Sequence, residues 1–259
     1  MQRLSQPTLR LYERAVDAAS SEAKAQAEDL ARAFGRSMQE AQKAGNTRLV
    51  SEMREYLAEE LEIIADKYAS VTESAAARVY EEAAASLSEQ YPDAQAANSI
   101  EPGKFESQVR SRAKFLFEDD LAGFQQRLAE YVEMQVWDAA KLTIGRSVET
   151  HREAIPEKDL RFARKIRPGD TCETCFMLAS RGFIYKSRAA ALAHQHTNCK
   201  CTAVPGTNGD RIFGYDLAGI QRRYREVVDE LPAAHSSHDV LAALRKKDPQ
   251  WLRTGRQPK

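Results

Sequence analysis

The chain has no cysteine outside one window of 30 residues, and several other common features are absent as well. It has no run of the roughly 20 apolar residues that a membrane-spanning helix needs. It also has no glycine-rich phosphate loop and no serine in a nucleophile-elbow motif. Lysine plus arginine and aspartate plus glutamate number 38 each, so no overall charge favours nucleic acid or a membrane surface. Membrane-spanning proteins and several common enzyme classes are therefore not indicated.

The N-terminal residues lack the apolar segment of a secretory signal, because the sequence MQRLSQPTLRLYERAV is interrupted by charged and polar side chains. We therefore expect synthesis in a reducing cytoplasm. In that compartment, free thiols or metal thiolates are expected rather than structural disulfides. The length of 259 residues suffices for one large domain or two modest ones.

The first 150 residues predict helix almost throughout. Apolar residues recur at three- and four-residue steps over about 9–34 and 50–68, and an alanine-rich third segment covers about 71–90. Gly45-Asn46 predicts a turn between the first two segments, and Tyr91-Pro92-Asp93 predicts the end of the third.

A further helical pattern extends from Phe105 to Ala140, with Gly123 as a place for a break or a close helix contact. Pro156 closes this region. Short strands are predicted at Phe183–Tyr185 and Thr202–Val204. The remaining predicted helices are short, at 176–180, 186–193, 217–230 and 238–246.

The cysteines are arranged as Cys172-x2-Cys175 and Cys199-x-Cys201, with His196 three residues before Cys199. This spacing suits a soft, tetrahedral metal such as zinc, because two sulfurs on one turn can reach a single ion. The simplest predicted site uses all four cysteines, and an alternative exchanges one of the last pair for His196. Disulfides, including a Cys175–Cys199 type of crosslink, and plain buried thiols remain open as alternatives.

A closed site with four protein ligands is structural, because no coordination position remains for water. Such a site would hold together a segment that is too short to build its own core. A catalytic version would need three ligands and a base such as His194, but no paired acid and base accompany it. The sequence therefore predicts a structural metal site and no enzyme.

The fold class that follows is mainly α. A long-helix bundle or helical hairpins over residues 1–155 precede a small α+β cysteine/zinc-binding module over 156–206, and a short helical tail covers 207–259. Strict heptads do not persist over any long span, which favours a bundle over an extended coiled coil.

Four basic residues precede the first thiol pair, namely Arg161, Arg164, Lys165 and Arg167. They could contact phosphate, but an exposed face that flanks the module is the simpler interpretation. Aromatic residues are not interleaved with them as a nucleic-acid stacking platform requires.

The residues between and after the thiol pairs carry a family resemblance. The window from Cys172 to Pro205 reads CETCFMLASRGFIYKSRAAALAHQHTNCKCTAVP. It resembles the C-terminal signature of the Mu F-like (MuF) minor capsid or head-morphogenesis proteins of tailed bacteriophages, particularly those of actinobacterial phages and prophages. The matching positions are Cys172, Cys175, Met177, Leu178, Ala179, Ser180, Arg181, Gly182, Tyr185, His196, Cys199, Cys201, Val204 and Pro205. Arg167-Pro168-Gly169 also resembles the family, whereas Lys200 replaces its usual arginine and His194 is extra.

The resemblance implies a non-enzymatic virion component that is present in few copies at the portal end of the phage head, after synthesis in the host cytoplasm. Its implied partners are portal and capsid proteins, with DNA as a further partner through Arg161, Arg164, Lys165 and Arg167, and no membrane. Head assembly is the implied role, together with DNA packaging or delivery in some phages. The alternative is a zinc-dependent nucleic-acid-processing or DNA-binding protein that uses the Cys/His module, with His194 or His196 as base.

Overall fold

The structure is a computed structural model that describes residues 4–98, 100–167, 169, 171–192, 199–247, 249 and 252. As predicted, the fold is mainly helical with a small sheet that accompanies the cysteines. The helices are α1 (Gln6–Lys43), α2 (Thr47–Ala85), α3 (Lys104–Arg112), α4 (Lys114–Phe117), α5 (Leu121–Ala154), α6 (Glu173–Ala179), α7 (Arg188–Leu192), α8 (Leu217–Asp229) and α9 (Ser237–Lys247). The strands are β1 (Arg161–Lys165) and β2 (Thr202–Gly206). Within the described residues, no helix combines the length and apolar character that crossing a bilayer requires.

The chain divides into two compact units. The helical unit comprises Tyr12–Ala75 and Ala97–Ala140. The cysteine unit comprises Met1–Leu11, Ala76–Ala96 and Lys141–Lys259. The domain boundaries that the sequence suggests after residues 155 and 206 stay a prediction.

The core of the helical unit combines small residues of α1 with larger residues of the other helices. On α1, the buried residues Ala19, Ala23, Ala27 and Ala31 recur every four positions, so they share one face and leave room for larger neighbours. The larger core residues are Leu57 and Leu61 of α2, Phe105 and Val109 of α3, and Phe124, Leu128, Val132 and Val136 of α5. The apolar stripes of the sequence are therefore burial signals, as predicted.

Helix α2 is continuous, so the predicted division into two segments near residue 70 is wrong. The helix also ends at Ala85 rather than at Tyr91. No glycine or proline interrupts residues 47–85, and alanine has the highest helix propensity. The backbone therefore continues through the change from large apolar residues to alanines.

The predicted helical pattern from Phe105 to Ala140 is interrupted between α4 and α5. Asp119 has a positive φ of 54°, which a helix cannot accommodate. Asp120 then starts α5, because its carboxylate accepts a hydrogen bond from the backbone N–H of Gly123 at 2.7 Å. Gly123 thus lies in the first turn of α5, just after the break.

In the cysteine unit, β1 and β2 pair antiparallel, with Phe162 opposite Pro205 and Arg164 opposite Ala203. Pro205 is tolerated because a strand in a two-stranded sheet needs ladder hydrogen bonds on one side only. Helices α6, α8 and α9 pack on one another, and their core residues include Phe176, Ile220, Val227, Val240 and Leu244. The predicted strand at Thr202–Val204 and the predicted helices at 176–180, 217–230 and 238–246 are therefore confirmed.

The predicted strand at Phe183–Tyr185 is wrong, because this segment is a turn. Only Tyr185 forms a bridge, exchanging backbone hydrogen bonds of 2.9 and 3.3 Å with Phe162. The two rings stack with centroids 5.4 Å apart, and the Tyr185 hydroxyl donates to the carbonyl of Leu178 at 2.6 Å. Tyr185 therefore fastens the turn to both β1 and α6.

Gly145 of α5 provides a test of the packing in the cysteine unit. A Cβ atom here would lie 2.8 Å from the Cα of Arg188 and 2.9 Å from the Cβ of Ala191. Because the first of these is a backbone atom, no rotamer change can relieve the clash. We expect Gly145→Leu to lower the free energy of unfolding by roughly 1–3 kcal/mol in urea denaturation, as overpacking does.

The matched control is Ala122→Leu, at an exposed position of the same helix. We expect this variant to stay within about 0.5 kcal/mol of wild type. Equal stability of the two leucine variants would contradict the close contact at Gly145.

Candidate metal centre

Three cysteine side chains meet in the core of the cysteine unit. The Sγ atoms of Cys175, Cys199 and Cys201 all lie within 4.8 Å of one another. The Sγ atom of Cys199 is 3.2 Å from that of Cys175 and 3.4 Å from that of Cys201. All three residues are buried. In the part of the chain that the structure describes, no other group of three or more metal-binding side chains is this compact.

Two local structures bring the sulfurs together. Cys172 is the N-cap of α6, where its Sγ atom accepts a hydrogen bond from the backbone N–H of Cys175 at 3.3 Å. The C-x2-C spacing then places Cys175 one helical turn further on, so that its side chain lies over the cap. Cys201 directly precedes β2, and a C-x-C spacing puts both side chains on the same side of an extended segment.

The three buried sulfurs lie close enough together to share a metal ion. A tetrahedral zinc site with Zn–S bonds of about 2.3 Å has its sulfurs about 3.8 Å apart, whereas a disulfide needs about 2.05 Å. The observed 3.2–3.4 Å is closer to the metal geometry, and no disulfide joins any of the four cysteines. The disulfide alternative, including a Cys175–Cys199 crosslink, is therefore not what the structure shows. The buried thiols form a group that could hold a metal ion.

Cys172 is the fourth sulfur next to this group. It is partly exposed, and its side chain hydrogen-bonds to that of Cys175. This bond, followed by bonds with Cys199 and Cys201, raises the pKa of the Cys175 thiol well above its usual value. The predicted alternative ligand His196 and the extra His194 lie outside the described residues, so the ligand set that includes histidine stays a prediction.

Arg164 is a buried cation beside the sulfurs, with 2% of its surface exposed. One guanidinium nitrogen, Nη1, donates to the Sγ atom of Cys201 at 3.4 Å. The other, Nη2, donates to the carbonyls of Ala190 and Ala191 at 2.9 and 2.7 Å. Burial lowers the pKa of Arg164, but the charge and hydrogen bond of Cys201 outweigh burial and raise it above its usual value. Arg164 therefore remains charged and joins the sulfur cluster to α7.

Lys141 of α5 is a second cation near the cluster, and it is also only 2% exposed. The pKa of Cys199 is raised to about 11, although a hydrogen bond with Cys175 and, to a smaller extent, the positive charge of Lys141 act to lower it. The same charge contributes to the lowered pKa of Cys201. Sequence reasoning missed this residue. Its position in the helix could have indicated that it is buried, because Lys141 lies on the same helical face as the buried residues Ile144 and Val148.

The environment favours a negative charge on Cys201. Hydrogen bonds with Cys175 and Cys199, followed by the charges of Lys141 and Arg164, hold the pKa of Cys201 well below its usual value against the effect of burial. When no metal is bound, the negative charge of the three buried cysteines therefore lies mainly on the Sγ atom of Cys201. Binding of a metal would require the other thiols to lose their protons as well.

The prediction of an exposed basic face is wrong at Arg164. This residue lies in the middle of β1, where its partners are a sulfur and two carbonyl groups, so DNA cannot reach its guanidinium. Arg161 is partly buried and pairs with a neighbouring aspartate. Lys165 and Arg167 are partly exposed. A DNA contact through these last three residues stays a prediction.

Comparison with known proteins identifies a family. A family model described as VG15 protein matches residues 12–227, a range that includes both thiol pairs and most of the long helices. No curated protein and no solved structure matches the chain.

The contacts of Arg164 lead to a direct test. In Arg164→Gln, the cluster loses its neighbouring guanidinium, and the carbonyls of Ala190 and Ala191 lose a charged donor. Because hydrogen bonds to charged groups contribute about 1.5–3 kcal/mol each, we expect the free energy of unfolding to fall by at least about 2 kcal/mol. Urea denaturation followed by circular dichroism measures the change.

Arg181→Gln is the matched control, because Arg181 belongs to the same unit and is exposed. Its effect should be within about 0.5 kcal/mol. An Arg164→Gln protein as stable as Arg181→Gln would contradict the role given to the buried guanidinium.

Proposed function

The chain belongs to the VG15 protein family, which supports a phage-encoded protein, and we propose that it is a minor capsid or head-morphogenesis protein. The observation that carries this proposal is the thiol window. The window that resembles the MuF signature contains Cys175, Cys199 and Cys201, whose buried sulfurs form one compact group. The proposed role is structural and assigns no catalytic residue.

The signature residues between the thiol pairs have structural tasks, which supports this role. Leu178 is buried in α6. The hydroxyl of Ser180 donates to the carbonyl of Met177 at 2.7 Å. Gly182 has a φ of +67°, a conformation that other residues rarely adopt, and Tyr185 fastens the turn that follows. These residues shape a compact unit around the sulfurs, as expected for a structural element.

We propose zinc as the metal of this site, and charge balance favours a site with four sulfurs. The proposed ligands are Cys172, Cys175, Cys199 and Cys201. A divalent ion with four thiolates carries a charge of −2, which the buried cations Arg164 and Lys141 offset. With His196 in place of one thiolate the charge would be −1, which matches the two neighbouring cations less closely. Bound zinc would crosslink the segments that precede α6 and β2, and so stabilise a unit with a small core.

The proposed partners are the portal protein and the adjacent capsid protein, and the proposed location is the phage head. The long helices support this proposal, because α1 and α2 span 38 and 39 residues and offer extended side surfaces for protein contact. A contribution to DNA packaging or delivery belongs to the same proposal.

Metal analysis of the purified chain tests the proposed site. We expect one zinc ion per chain in wild type, and loss of zinc on dialysis in Cys172→Ser and in Cys201→Ser, because each variant lacks one of the four thiolates. Acidification should also release zinc, because protons compete with the metal for thiolate sulfur. Mass spectrometry of the metal content gives the stoichiometry.

His196→Gln is the control for this experiment and should retain its zinc. Loss of zinc from His196→Gln together with retention of zinc in Cys172→Ser would contradict the site with four thiolates. The ligands would then be three cysteines and His196. A wild-type protein that never holds zinc would contradict the proposed metal.

Co-expression with the portal protein of the same phage tests the proposed assembly role. We expect the two proteins to co-purify and to elute together in size-exclusion chromatography, and an unrelated portal protein serves as the control. A chain that associates neither with its portal protein nor with procapsids would overturn the proposed function.

A further inference from the structure

An exposed ridge runs along α2 within the helical unit. Its members, which we call the α2 ridge, are Leu49, Glu52, Tyr56, Glu59, Ile63 and Asp66, and all of them are exposed. They follow one another at steps of three and four residues, which is the spacing of a coiled-coil seam. The core residues Leu57 and Leu61 of the same helix are fully buried and belong to a different face. Helix α2 therefore has a second ordered face.

The ridge alternates apolar and acidic side chains. Leu49, Tyr56 and Ile63 are seven residues apart, with 37, 52 and 60% of their surfaces exposed. Single exposed apolar residues are common, but eight large ones are exposed in the described chain and three of these fall on this one line. The ring of Tyr56 also stacks on Phe34 with centroids 5.5 Å apart, which fixes its position. The line thus resembles the apolar half of a helix–helix contact.

The ridge lies in a strongly acidic stretch. Residues 51–66 contain six acidic side chains and one basic side chain, Arg54. A hydrogen bond with Glu60 and its charge raise the pKa of Tyr56 above its usual value. Glu52 pairs with Arg48 at 2.8 Å, but both side chains are exposed, and such pairs contribute little. The surface beside the apolar line therefore keeps its negative charge.

The pattern of apolar and acidic residues determines which kind of partner the α2 ridge can bind. A second copy of the chain would bring the acidic positions of two ridges against each other in a parallel pair. In an antiparallel pair, the same positions would face apolar side chains. Both arrangements are unfavourable, because like charges repel and unpaired carboxylates resist burial. An anionic lipid surface is disfavoured for the same reason. A basic helix offers both apolar contact and opposite charge.

We propose that the α2 ridge binds a basic amphipathic helix of a partner protein. Its apolar residues would lie against Leu49, Tyr56 and Ile63, and its lysine or arginine residues would pair with the acidic members of the ridge. This inference relies on the proposed function only for the identity of the partner, a portal or capsid protein. The surface and the chemistry of its partner follow from α2 itself.

A designed peptide tests the inference with the full chain. The probe is a fluorescent helix of three heptads with leucine at each first position and lysine at each fourth position, and a second probe has glutamate instead of lysine. We expect the lysine probe to bind at least about tenfold more tightly than the glutamate probe in fluorescence anisotropy. Its affinity should fall as salt is added, because salt screens exposed charges.

Variants on the ridge make the test specific. We expect Tyr56→Ser combined with Ile63→Ser to weaken binding of the lysine probe about tenfold or more. Leu11→Ser is the matched control, since Leu11 is 64% exposed and lies outside the ridge, and it should bind like wild type. Glu59→Lys combined with Asp66→Lys should reverse the preference towards the glutamate probe. All of these side chains are exposed, and circular dichroism verifies that each variant is folded.

Equal binding of the two probes, or unchanged binding by the Tyr56→Ser, Ile63→Ser protein, would overturn the inference. Self-association of wild type that Ile63→Ser abolishes would also overturn it, because the occupant would then be a second copy. If the lysine probe does not bind while the portal protein still co-purifies, this inference is wrong and the proposed function stands. If the probe binds but the chain does not associate with the portal protein, the proposed function is wrong and this inference stands.

Discussion

Buried sulfurs and buried cations depend on each other in the cysteine unit. Arg164 and Lys141 each place a positive charge in a protein interior, which is costly unless a negative charge is near. Hydrogen bonds with Cys175 and Cys199, together with these two cations, hold the pKa of Cys201 below its usual value. The strand that carries Arg164, the helix that Cys172 caps and the segment that ends at Cys201 meet at this cluster. Helices α8 and α9 pack around that meeting point and complete its core.

The sequence was sufficient to predict the thiol cluster and most of the helices, because both depend on local spacing. Three of the four cysteines lie in one buried group, and the apolar stripes became helix cores. The sequence was not sufficient to predict the burial of Arg164. A basic segment with a single aromatic residue is typical of an exposed surface, and only its pairing with β2 shows that it is a strand. Lys141 was missed because its partners lie some 60 residues further along the chain. Long-range electrostatic pairing leaves little trace in a single sequence.

The two units support different parts of the proposed role. In the cysteine unit, the signature residues Leu178, Ser180 and Tyr185 are buried and serve packing and turn formation. In the helical unit, α2 buries one face and exposes a second, ordered one. A protein that joins larger assemblies needs both properties, namely a unit that keeps its shape and a surface that remains available.

The proposed site has four sulfurs around one zinc ion beside Arg164 and Lys141. X-ray absorption at the zinc edge counts the ligand atoms of the metal by type and distance. We expect four sulfur ligands at about 2.3 Å and no nitrogen or oxygen ligand. A shell that contains nitrogen or oxygen, or a purified protein without zinc, would contradict the proposed site.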